Sequence, residues 1–68
     1  MKISYDRGED ILLIEVMPEG IIDHAEQADS LIAHFTADGQ LVLLEILDAS
    51  HFLTKVFQVA LRGEEVPA

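Results

Sequence analysis

Along the chain, apolar residues fall into strand-like stretches over the first two thirds, some alternating and some apolar on both faces, and into a helical spacing afterwards. Lys2-Ile3-Ser4-Tyr5-Asp6 alternates and places Ile3 and Tyr5 on one face, which predicts a short strand. Asp6-Arg7-Gly8-Glu9-Asp10 is a polar, glycine-containing connection suited to a hairpin turn. Ile11 to Met17 is apolar on both faces until Glu15, as an interior strand is, and Pro18-Glu19-Gly20 ends it. Ile21 to Ala28 mixes strand-favouring Ile21-Ile22 with helix-favouring Ala, Glu and Gln, and it reads as an edge strand. Asp29-Ser30 turns the chain into Leu31 to Thr36, with Leu31, Ala33 and Phe35 on one face. Ala37-Asp38-Gly39-Gln40 is the clearest hairpin turn, because glycine adopts positive φ without steric cost. The stretch that follows, Leu41 to Leu47, is the most apolar run and predicts the central strand.

After it the rhythm changes. Phe52, Val56, Val59 and Ala60 recur at helical spacing beside Leu53, Phe57 and Leu61. Asp48 is placed to cap this helix, its carboxylate accepting from the N–H of Ser50 or His51. Gly63 suits the left-handed position after a helix end, with Lys55 and Arg62 toward the negative end of the dipole. A one-turn helix followed by a strand over residues 55–61 is the alternative. The pattern predicts one α+β domain over residues 1–63. It would be a small antiparallel β-meander of four to five strands, with one C-terminal helix packed on a sheet face. Residues 64–68 are expected to fray. Ile11-Leu-Leu-Ile-Glu-Val-Met17 echoes Leu41-Val-Leu-Leu-Glu-Ile-Leu47, but the flanks differ, so the echo indicates two buried strands rather than a duplication.

Composition narrows the function classes. Sixty-eight residues bury only roughly 60% of the surface that the unfolded chain exposes. There is no cysteine, so disulfides, thiolate zinc sites and a cysteine nucleophile are excluded. Stability must come from an efficient core or from oligomerisation. Thirteen acids against four Lys and Arg give a formal charge of -9. That argues against nucleic acid and anionic membranes, and it permits a basic protein partner. With 50% hydrophobic residues, the chain is not disordered. No run is long enough to span a membrane, and Met1 to Asp6 lacks the apolar core of a signal peptide, so the expected location is the cytoplasm.

Met1-Lys-Ile-Ser-Tyr-Asp6 with Asp10-Ile-Leu-Leu-Ile14, and Asp38-Gly39 followed by Glu45-Ile-Leu-Asp-Ala-Ser50, are the residues that carry a family likeness. Over roughly residues 1–54 the sequence resembles a prokaryotic domain-of-unknown-function family, number twenty-two eighty-three. It departs from that pattern at Leu44, where the family often has glycine, in the middle segment, and after Thr54. The resemblance implies a small antiparallel sheet with a helical C-terminal element. It implies no established activity and no catalytic residues, and only weakly an association with toxin-like proteins.

Candidate chemistry is sparse. His24 and His34 would face each other across a hairpin centred on Asp29, close enough to share a metal or a proton, whereas a one-residue shift would pair His24 with Phe35. Two histidines without a third ligand are weak evidence for a metal site, so no metal is assigned and His24 and His34 stay weak candidates. Glu15 and Glu45 interrupt apolar strands and would form an acid/base pair if those strands are neighbours. Asp48, Ser50 and His51 invite a triad reading, but neighbours on one helical turn point to different faces. No catalytic residue and no cofactor is assigned. Ile11, Leu13, Leu41 and Leu43 lie opposite Leu12, Ile14, Val42, Leu44 and Ile46, and one helix covers only one face. The first four are therefore the expected interface of a two-fold homodimer. The sequence thus points to a non-enzymatic, self-associating interaction module. An antitoxin-like protein neutralising a basic toxin, and a small metal-binding or acid/base enzyme, are the alternatives.

Overall fold

The computed structural model describes residues 1–63; the expected frayed tail, 64–68, lies outside the described residues. Five strands precede one helix: β1 (Lys2–Asp6), β2 (Ile11–Glu15), β3 (His24–Ala28), β4 (Leu31–Phe35), β5 (Leu41–Ile46) and α1 (Ala49–Leu61). The strands form one antiparallel sheet in the order β1-β2-β5-β4-β3. The α+β class is as the sequence predicts, and residues 55–61 are helix rather than strand. The order is not that of a simple meander. β5 stands between β2 and β4, so the two echoing apolar segments, β2 and β5, are neighbours. The β2–β3 connection crosses to the far edge. Its residues Val16 and Met17 both donate backbone N–H to the Val42 carbonyl, at 2.8 and 3.1 Å. Gly20 packs so closely on Val42 that a Cβ there would meet Cγ2 at 3.0 Å.

Directly paired residues share a face, and the register defines two unlike faces. On one, the rows run Tyr5–Leu12–Ile46–Leu31–Ala28 and Ile3–Ile14–Leu44–Ala33–Glu26. On the other they run Ser4–Leu13–Glu45–Ile32–Gln27 and Lys2–Glu15–Leu43–His34–Ala25. The first is nearly all apolar, while the second mixes apolar with polar or charged residues along each row. A bulge at His34/Phe35 places Leu41 opposite Phe35, so strict alternation does not carry past it.

The core sits on the apolar face. Among the described residues only Val42, Ile46 and Ala49 are buried, Ala49 completely at 0% exposure. Val42 and Ile46 belong to the apolar face by alternation along β5, and Ala49 opens α1, so the helix begins over that face. Phe52, Leu53, Val56 and Val59 continue as a half-buried stripe. Phe52 and Lys55 share a hollow with Ala28 and Leu31 of the β3–β4 hairpin.

Candidate functional site

Two polar constellations join elements far apart in sequence. The first centres on Asp10, which ends the β1–β2 turn with a left-handed backbone (φ 54°). Aspartate tolerates that region better than most residues. Its backbone carbonyl accepts from the Ala49 N–H at 2.9 Å. Its carboxylate accepts from the Ser50 N–H at 3.0 Å, from the Ser50 hydroxyl at 2.7 Å and from the Tyr5 hydroxyl at 2.5 Å. The first N–H groups of a helix have no intrahelical acceptor, and here Asp10, some forty positions away, satisfies two of them, those of Ala49 and Ser50. The Tyr5 hydroxyl, and after it Ser50, holds the Asp10 carboxyl below the usual carboxylate range. The same hydrogen bond, with some desolvation, pushes the Tyr5 phenol up.

This corrects the expectation for Asp48. It occupies the N-cap position, but its backbone is left-handed (φ 51°) and its side chain makes no capping hydrogen bond. An N-cap side chain reaches the N2 or N3 amide from an extended backbone; Asp48 has an αL backbone instead, and Asp10 takes that role.

The second constellation lies on the mixed sheet face. His34 Nε2 meets Glu45 Oε1 at 2.5 Å between adjacent strands, with both side chains largely shielded. Glu15 shares this face, one row away. The partner of Glu45 is therefore His34, not Glu15, which the sequence reading did not anticipate; the signal was His34 in β4 falling beside a glutamate of the adjoining central strand. A histidine–carboxylate pair can pass or hold a proton. Three hollows of the described surface are lined by other residues.

His24 and His34 do not face each other. The β3–β4 register pairs His24 with Phe35 and Ala25 with His34, so the two histidines lie on opposite faces. The reason is the turn. Asp29-Ser30 is a two-residue loop, with Asp29 at φ 53°, and it closes on the pair Ala28–Leu31 rather than on Asp29 itself. His24 instead stacks on Phe35, ring centroids 5.4 Å apart, and its Nδ1 meets the Asp23 carboxylate at 2.9 Å. Among the described residues no three His, Asp or Glu side chains converge as metal ligands. The Ser50 hydroxyl is engaged by Asp10, not by His51. Ile11, Leu13, Leu41 and Leu43 are half-buried, and Leu13 and Leu43 stand directly beside Glu45, Glu15 and His34. No described helix is long and apolar enough to cross a membrane.

No curated protein matches this chain, and no solved structure does. One family does match, over residues 2–50, a span that opens at β1 and closes on Ser50, the residue Asp10 holds. The chain belongs to the family described as protein of unknown function (DUF2283).

Proposed function

We propose that this domain is a non-enzymatic interaction module that associates with a second copy of itself. One observation carries the reading: five strands and a helix bury only three side chains among the described residues, while large apolar side chains remain exposed on β1, the β2–β3 loop and α1. A domain of this size is marginal even with a well-formed core. Removing further apolar surface from water contributes about 25 cal/mol per Å², and a partner is the remaining means of doing so in a chain without disulfides. The lack of cysteine also fits a reducing compartment, because small domains of oxidising compartments are commonly disulfide-stapled; we place the module in the cytoplasm. Sedimentation velocity over a range of concentrations tests the reading. The expected result is a dimer at micromolar chain concentration, and a monomer throughout would contradict it.

The formal charge of -9 favours one second reading, an antitoxin-like role against a basic polypeptide, with the acidic surface steering the encounter. Its test is co-purification from the native cell of a basic polypeptide that is released by salt. An unaltered elution of the chain alone would count against it.

A further inference from the structure

The two edges of the sheet differ in charge, and one of them is complementary to a second copy of itself. β1 and β3 are the outer strands, and every residue of both is exposed. An outer strand keeps the main-chain N–H and C=O groups of alternate residues unpaired on its free side, which makes it a template for a further strand. Proline, a bulge or unfavourable charge commonly blocks such an edge. β1 has neither proline nor bulge, and its five residues pair with β2 in unbroken register.

The order of residues in β1 reads alike from either end: Lys2-Ile3-Ser4-Tyr5-Asp6. Antiparallel pairing with a second β1 about a two-fold axis at Ser4 sets Lys2 opposite the partner's Asp6, Ile3 opposite the partner's Tyr5 and Ser4 opposite the partner's Ser4. These are opposite charges, a β-branched residue with an aromatic one, and two hydroxyls, all compatible cross-strand pairs. Directly opposed residues share a face, so Ile3 and Tyr5, 63% and 47% exposed, cover their counterparts on the apolar face. The apolar row Leu12–Tyr5 then runs on into Ile3 and Ile14 of the partner. On the mixed face, Asp6 Oδ1 accepts from the Gly8 and Glu9 amides at 2.9 and 3.1 Å. That holds the carboxylate through one oxygen and leaves the other to the partner's Lys2.

Charge separates β1 from the other edge. The chain has four Lys and Arg against thirteen acids, and two of the four, Lys2 and Arg7, fall within residues 1–8, where Asp6 is the only acid. Two chains of charge -9 meet there with little local repulsion. β3, His24-Ala25-Glu26-Gln27-Ala28, contains no Lys or Arg and lies between Asp23 and Asp29. The same two-fold pairing at its centre sets Glu26 against the partner's Glu26, and like charges directly opposite are destabilising.

We infer that two copies join edge to edge through β1, by antiparallel pairing centred on Ser4, into a continuous sheet with five strands from each chain. This inference rests on the proposed self-association and specifies its surface. The cysteine-free chain allows a clean test. Opposed residues of an antiparallel pair have Cα atoms about 4.5 or 5.5 Å apart, and a disulfide takes roughly 4.4–6.8 Å. Full-length Ser4→Cys under mild oxidation is expected to form a covalent dimer at least tenfold faster than Glu26→Cys or Leu43→Cys. Separately, Ser4→Lys sets two ammonium groups together at the axis. It is expected to raise the dimer dissociation constant at least tenfold with the far-ultraviolet circular dichroism unchanged, whereas Glu26→Lys leaves that constant as in the wild type. A wild type that is monomeric overturns the self-association itself. A wild type that is dimeric, with Ser4→Cys cross-linking no faster than Glu26→Cys and Ser4→Lys associating as tightly as the wild type, overturns the β1 junction alone.

Discussion

The two ends of α1 are held by different means. At its start, Ala49 is completely buried, its N–H is bound to the Asp10 carbonyl, and Ser50 is bound through both backbone and side chain. Toward its end, Phe57 and Leu61 lie mostly in solvent. The fixed start, Ala49-Ser50-His51, is the less apolar end, while Val59-Ala60-Leu61 closes the helix, so hydrophobicity alone does not explain the difference. The start is fixed by contacts within the chain, and the end presents side chains that the chain itself does not cover. The family match stops at Ser50, on the fixed side of this division.

Breaking the fixed end should have the largest effect. Ile46→Ala removes a buried side chain under the helix start and is expected to cost about 2–5 kcal/mol, read from a urea unfolding curve; a loss below about 1 kcal/mol would show that this end is not packed as described. Enlarging Ala49 to Leu, where no space is left, should cost about 1–3 kcal/mol, whereas an equivalent enlargement at exposed Ala60 should be nearly silent.

The Asp10 contacts give a pH signature. The folded carboxyl titrates below its usual range because Tyr5, then Ser50, donates to its ionised form. A lowered folded pKa means that the contribution is complete above the unfolded value and is lost as pH falls through the folded one. Asp10→Asn should therefore flatten the acid limb of the stability profile below the usual carboxylate range and leave its shape near neutrality unchanged; an unaltered acid limb would remove Asp10 from the account. The Tyr5 phenol is displaced upward, so its contribution is complete below the ordinary phenol pKa of about 10 and fades only above it. The smallest effect belongs to Asp48. Its side chain caps nothing and its φ is positive, so Asp48→Gly should raise stability by about 0.5 kcal/mol. A working cap would be lost with the opposite sign.

Local chemistry made the elements readable. β5 is apolar on both faces, as a strand between two neighbours must be, and Gly39 at φ 87° forms the turn that Asp38-Gly39 announced. The 52/53/56/59 stripe gave the helix. Relations between distant segments were not readable. A one-residue difference in how Asp29-Ser30 closes its hairpin moved His24 opposite Phe35 and away from His34. The capping of Ser50 by Asp10 depends on two left-handed aspartates, Asp10 and Asp48, re-aiming the chain, and no periodicity encodes that. The insertion of β5 between β2 and β4 likewise depends on the path of the β2–β3 loop, whose residues Ile21 and Ile22 lie outside any strand.

The central claim is that a second copy completes a fold that buries little on its own. The most direct measurement is the urea unfolding midpoint of the wild-type chain over a hundredfold range of concentration. A partner that binds only the folded state stabilises it by mass action, so the midpoint is expected to rise steadily with chain concentration. A midpoint that stays constant across the range would contradict the account.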